Sequence, residues 1–139
     1  MGTTVGPLGG YSILVVDDEP LIAAQMEDWL LELGHVVVGP AYNLAKALEL
    51  AHTDMDGAIV DVSLGRDNSY PLVDALVGRG LPLALATGHG QDGVAPGYRA
   101  QAILMKPFDF ATFRRTVDNL TAPGSGPGEH AASGGSGGA

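Results

Sequence analysis

The sequence predicts an α/β fold, a doubly wound parallel sheet with helices on both faces. Three observations predict it. Five short apolar runs recur along the chain, and they lack the in/out alternation of a half-exposed strand. Amphipathic stretches separate them, giving the order β-α-β-α-β-α-β-(weak α)-β-α. Polar and charged residues gather where the runs end, as expected if all carboxyl ends share one sheet edge.

The first run is ILVV at 13–16, followed at once by Asp17, Asp18, Glu19 and Pro20. Pro20 suits the first turn of a helix. Ile22, Met26, Trp29, Leu30 and Leu33 then mark one helical face, which assigns Trp29 to the core. Gly34 is a natural stop. The second run is VVV at 36–38. Asn43 is placed to cap a second helix marked by Leu44, Leu48 and Ala51. The third run, AIVDV at 58–62, carries Asp61 near its end. Pro71, Leu72 and Leu76 mark the third helix, and LALA at 83–86 is the fourth run, ending on Thr87. The stretch GHGQDGVAPGYR holds four glycines and a proline, so a helix there is short or broken. AILM at 102–105 is the fifth run and leads into Lys106 and Pro107. Phe110, Phe113, Val117 and Leu120 mark the last helix, with Asp109 as its cap.

The folded region is expected at residues 11–120. Residues 1–10 are glycine-rich, and residues 121–139 have the Gly/Ser/Ala/Pro composition of a flexible tail. Hydrophobic residues make up 45% of the 139, enough for a core. There is no cysteine, which excludes a disulfide scaffold, a thiolate metal site and a cysteine nucleophile. Sixteen acids against seven Lys+Arg give a formal net charge of −9. Such a surface repels nucleic acid and anionic membrane. No apolar run has the length of about 20 residues that spans a bilayer. The first ten residues lack the basic and apolar regions of a secretory signal. A cytoplasmic location is expected.

On one sheet edge, Asp17, Asp18, Asp61, Thr87 and Lys106 should converge. Clustered carboxylates without soft ligands suit a hard divalent cation, and Mg²⁺ fits best. A metal, a free carboxylate oxygen, a hydroxyl and an ammonium group are the parts for phosphoryl transfer to a carboxylate. Taken singly, each residue has a plainer explanation. Acids favour a helix N-terminus, Asp61 could be a turn acid, and Lys106 could be a surface lysine. Their coincidence at four strand ends favours the chemistry. Glu19 is assigned to the start of the helix with Pro20. His35, His52 and His130 have no metal-ligand spacing, and His89 is expected in a solvent-exposed loop.

The motifs VVDDEP, IVDVSLG, LATG and MKPFD, in this order and spacing, resemble the receiver domain of two-component response regulators over residues 11–120. The resemblance implies a flavodoxin-like five-stranded sheet in the order 2-1-3-4-5. It implies that Asp61 is the phosphoacceptor and that Asp17, Asp18, Asp61 and the Ser63 backbone carbonyl hold Mg²⁺. Thr87 and Lys106 would contact the phosphoryl group, and the Lys106–Pro107 peptide would be cis. The partners implied are a sensor histidine kinase or phosphotransfer protein and a downstream protein target. The chain departs from the common pattern in three places. The Met-Pro loop after the phosphoacceptor is absent, Ile103 stands where an aromatic switch residue is usual, and a Gly/Pro-rich segment replaces the fourth helix. LPLALATGHG is similar to a stand-alone subgroup with a Phe-Ala-Thr-Gly signature, though Leu85 stands in place of the Phe. On this resemblance the switch elements are Thr87, position 103 and the segment from Gly88 to Arg99. The protein would catalyse at most its own phosphorylation and dephosphorylation.

Three other readings stand beside this one; residues argue against the first two, and the sequence does not separate the third from a signalling adaptor. A haloacid-dehalogenase-like phosphohydrolase needs a second Asp two residues after the nucleophile, and Ser63 stands there. A flavin-binding module needs a Ser/Thr/Gly loop after the first strand, where this chain has acids. A phosphate sink shares the receiver chemistry without an output partner.

Overall fold

The computed structural model describes residues 10–99 and 101–122. The proposed N-terminal and C-terminal tails lie almost wholly outside the described residues. Five parallel strands form the main sheet in the order β2-β1-β3-β6-β7. They are β1 (Ser12–Val16), β2 (Val36–Ala41), β3 (Gly57–Asp61), β6 (Leu83–Thr87) and β7 (Ala102–Met105). In a count of five this is the expected 2-1-3-4-5. The helices are α1 (Pro20–Glu32), α2 (Leu44–Leu50), α3 (Tyr70–Gly78) and α4 (Phe110–Thr121).

The sheet separates two apolar clusters. One holds Leu14, Val16, Val60, Leu72, Val73, Leu76 and Leu85. The other holds Ile13, Val15, Met26, Leu30, Ile59, Leu104 and Phe113. Successive residues of β1 and β3 thus point to opposite clusters, and all ten are buried. Burial on both faces is why these strands read as continuous apolar runs rather than alternating ones. Trp29 is half-buried rather than enclosed, and it packs against Phe108, Phe110 and Phe113 with ring centroids 6.1, 5.6 and 5.3 Å away.

The caps follow local chemistry. Asn43 Oδ1 accepts from Lys46 N at 2.8 Å, and Asp109 Oδ1 accepts from Thr112 N at 2.8 Å. Each satisfies a helix donor that has no partner within the helix. Pro20 is the first residue of α1, and Gly34, at φ 88, follows its end in the left-handed region. Strand β2 runs three residues beyond VVV, through Gly39 and Pro40 to Ala41. Proline is tolerated there because β2 is an edge strand, and its pairing with β1 shifts between Leu14 and Val16.

One short segment was not anticipated, and another takes the broken form expected of it. Residues 63–68 form a hairpin, β4 (Ser63–Leu64) against β5 (Asp67–Asn68), with Gly65 at φ 67 in its turn. The expected weak helix is two 3₁₀ turns, Gly90–Gly93 and Pro96–Tyr98.

Candidate functional site

Register places the site. Val16 pairs with Val60, Asp61 with Ala86, and Thr87 with Met105. The strands therefore end level with one another, and the next residue of each emerges on the same edge. Lys106 N donates to Thr87 O at 2.8 Å and Asp17 N donates to Ala41 O at 3.0 Å, so this edge is fixed by backbone bonds.

Asp17 and Asp61 are 0% and 7% exposed, while Asp18 is exposed. One carboxylate oxygen from each of Asp17, Asp18 and Asp61 can be chosen so that all lie within 4.8 Å of one another. Lys106 Nζ lies 2.9 Å from Asp61 Oδ2 and 3.0 Å from Asp17 Oδ2. It also lies 3.6 Å from Glu19 Oε1. Glu19 stands at the helix start as expected, and its exposed carboxylate makes this longer contact in addition. Its backbone precedes α1 in an extended conformation without a side-chain cap, and its carboxylate contributes to the field around Lys106.

These neighbours set the protonation. Burial pushes the Asp61 carboxyl up to about 6. The Asp17 charge acts in the same direction, and Lys106 and the Ser63 N–H oppose it. Burial works against the Lys106 ammonium, but the hydrogen bond to Asp61, the close contact with Asp17 and the charges of both carboxylates outweigh it. The lysine is held well above its ordinary value.

The remaining donors fix the carboxylates. Glu19 N donates to Asp17 Oδ1 at 2.9 Å, and Ser63 N donates to Asp61 Oδ1 at 3.2 Å. Gly65 N, at the hairpin turn, donates to Asp18 Oδ2 at 3.0 Å. Asp17 Oδ2 is buried and accepts no aligned hydrogen bond, although the Lys106 charge is near. A buried carboxylate oxygen met only by a cation and by no aligned hydrogen bond, among three carboxylates, has the chemistry of a ligand for a hard cation. The donor set fits Mg²⁺.

Thr87 is 5% exposed and lies on the same edge. Its Oγ1 accepts from His89 N at 3.1 Å. A Cβ placed on Gly93 would collide with that oxygen, so the first 3₁₀ turn lies directly against it. His89 and His52 are exposed. His35 is partly buried, where its Nδ1 accepts from Tyr11 N at 3.0 Å, and His130 lies outside the described residues. The Lys106–Pro107 peptide is cis, and so is Gly39–Pro40, which the sequence reading did not anticipate. Ile103 is partly buried and packs against the first cluster. An apolar cleft beside Lys106 is lined by Ile103, Met105, Phe108 and Thr112.

Sequence reasoning missed Glu19, the Gly65–Asp18 bond and the pair Tyr70–Tyr98. Those tyrosine rings stack at 4.2 Å, holding the 3₁₀ region to α3. Their signal was weak, because they are 28 residues apart and neither lies in a motif.

Comparison with known proteins agrees with this geometry. The family model of the response regulator receiver domain matches residues 13–118. The transcriptional regulatory protein PdtaR of Mycobacterium tuberculosis is 29% identical over 104 residues, covering 71% of this chain. The alignment spans about half, 51%, of that relative's length. The solution structure of SdrG from Sphingomonas melonis Fr1 is 37% identical, with a TM-score of 0.70. That alignment covers 80% of this chain and 96% of SdrG. The response regulator REC domain of PhyR from Erythrobacter litoralis is 26% identical with a TM-score of 0.73. It covers 86% of this chain and 99% of that one.

Proposed function

The chain belongs to the response regulator receiver domain family, and from that premise we propose that it is a phosphoacceptor of a two-component phosphorelay. A sensor histidine kinase or phosphotransfer protein donates the phosphoryl group to Asp61, and the output is a contact with a downstream protein. The observation that carries this reading is the cluster of Asp17, Asp18 and Asp61 beside the Lys106 ammonium, at the carboxyl edge of the sheet.

The chemistry follows from the residues. Asp61 supplies the attacking carboxylate oxygen. A P–O bond forms as the P–N bond of a donor phosphohistidine breaks, and the electron pair leaves with the imidazole nitrogen. Bound Mg²⁺ supplies charge neutralisation for the phosphoryl oxygens. Asp17 and Asp18 hold it with Asp61, and the Ser63 carbonyl is the further ligand that the family pattern suggests. Lys106 is fixed by two carboxylates before the reaction and remains protonated, so its charge is already in place. Thr87 leaves His89 N to donate its hydroxyl proton to the phosphoryl group. The added charge, about −2 near neutral pH, then draws the segment from Gly88 to Arg99 into a new arrangement, which its glycines permit.

Output by protein contact is supported by the acidic surface and by the cleft beside Lys106, where Met105 is 55% exposed. Among the described residues no helix is long and apolar enough to cross a membrane. A cytoplasmic location suits a phosphorelay component.

The test is phosphorylation by acetyl phosphate with Mg²⁺, read by intact mass. The wild type should gain the mass of one phosphoryl group, and EDTA should prevent it. If Asp61→Asn is labelled as fully as the wild type, the assignment of Asp61 is wrong.

A further inference from the structure

The segment after Thr87 is held at two ends. At one end, Gly93 lies against Thr87 Oγ1 and His89 N donates to that oxygen. At the other end is a clasp to α3. Tyr70 and Tyr98 stack with centroids 4.2 Å apart and 14° between the rings. The Tyr70 hydroxyl oxygen accepts from Ala95 N at 2.7 Å, and the Tyr98 hydroxyl donates to Asp74 Oδ2 at 3.2 Å. Tyr70 and Asp74 are four residues apart on α3, so one helix face receives both the ring and the hydroxyl of Tyr98. Val94, 1% exposed, is buried just before the clasp, and Arg99 Nε closes the loop on Val94 O at 2.8 Å.

Tyr70 is itself tied to the chain that follows Asp61. Tyr70 N donates to Asn68 Oδ1 at 3.0 Å, and Ser69 N donates to Val62 O at 2.9 Å. The clasp therefore joins the polypeptide leaving Asp61 to the polypeptide leaving Thr87. At position 103 an isoleucine packs in the core and carries no ring.

We infer that the Tyr70–Tyr98 clasp is the latch of the segment after Thr87, holding residues 94–99 on α3 and so setting how readily Thr87 turns toward Asp61. This rests on the proposed phosphoacceptor reading. Turning Thr87 toward Asp61 breaks the bond from His89 N and takes the hydroxyl away from Gly93, so residues 88–93 must repack behind it. With residues 94–99 clamped, that movement is confined to residues 88–93. With the clasp open, the whole connection moves, and the arrangement competent for phosphorylation is a larger fraction of the resting protein.

Three variants separate the contacts. Tyr70→Phe removes the bond to Ala95 N and keeps the stack. Tyr98→Ala removes the stack together with the bond to Asp74. Tyr42→Phe, on a tyrosine 47% exposed, is the control. In protein free of Mg²⁺ and phosphoryl donor, amide exchange at Ala95 should quicken by about fivefold in Tyr70→Phe, the equivalent of one intramolecular hydrogen bond. The increase should be larger in Tyr98→Ala. With acetyl phosphate and Mg²⁺, both should take up phosphate several-fold faster than the wild type, and Tyr42→Phe should match the wild type. Unchanged Ala95 exchange in Tyr70→Phe overturns the latch, and so does faster exchange with wild-type phosphorylation kinetics. A wild type that takes up no phosphate fails the functional reading and the regulatory role with it. The exchange measurement, made without donor, tells the two failures apart.

Discussion

Replacing Asp61 with asparagine should make the metal-free protein more stable, not less. Asn keeps the side-chain volume and an oxygen for Lys106 but carries no charge. The Asp61 carboxyl titrates near 6 in the fold against 3.8 in the open chain, chiefly because it is buried and also because Asp17 is beside it. Ionised in both states, such a group lowers stability by about 3 kcal/mol. The sign follows from proton counts. Between the two values the folded state binds more protons than the unfolded chain, so the wild type loses stability as pH rises through this window. Asp61→Asn should therefore gain about 3 kcal/mol at pH about 7.5, roughly half of that at pH about 5, and almost nothing below pH about 4. For a domain of this size the first figure is on the order of 10 °C in Tm. Urea unfolding in EDTA at several pH values measures it. Saturating Mg²⁺ should narrow or reverse the difference, because the wild type alone keeps the full carboxylate set. A variant no more stable than the wild type in EDTA at neutral pH refutes the reasoning. So does a gain that stays constant from pH about 7.5 to about 4, because protonation then has no part in it.

Other outcomes follow from the same geometry. Mg²⁺ affinity should weaken as pH falls through about 6, where Asp61 takes up its proton in competition with the metal, and titration calorimetry at two pH values would show it. In the Asp61→Asn background the change of affinity near pH about 6 should disappear. Burial holds His35 below its ordinary 6.5, so its contribution is present above that value and lost as pH falls through the folded one, which imidazole NMR and urea midpoints would follow. Asp109→Ala should cost about 1 kcal/mol by removing the α4 cap, seen as a lower urea midpoint at unchanged slope.

The sheet was readable because its strands are buried on both sides, and burial is written in the sequence as unbroken apolar runs. The positions of Asp17, Asp61, Thr87 and Lys106 followed, since the carboxyl ends of parallel strands share one sheet edge. What escaped the reading was local and cooperative. The hairpin at residues 63–68 has two residues per strand, too few to show alternation. It is held by Gly65 on Asp18, Ser69 on Val62 and the buried Leu64. The second run was read as VVV alone, although the edge strand continues through Gly39 and Pro40. Glu19 looked spare because its role depends on where Lys106 arrives from the far end of the chain. The stacked tyrosines depend on the path of a glycine-rich connection that carries no periodicity.

The sheet that divides the core has a consequence for how such a protein changes over generations. Leu72, Tyr70 and Tyr98 pack on one side, and Phe113, Trp29 and Phe108 on the other, with no side chain common to both clusters. Substitutions on opposite sides should act independently, so the losses for Leu72→Ala and Phe113→Ala should add in the double variant to within about 0.5 kcal/mol. Under the proposed latch, substitutions on the α1–α4 side leave the Tyr70–Tyr98 clasp untouched, so that side can change one residue at a time without resetting it.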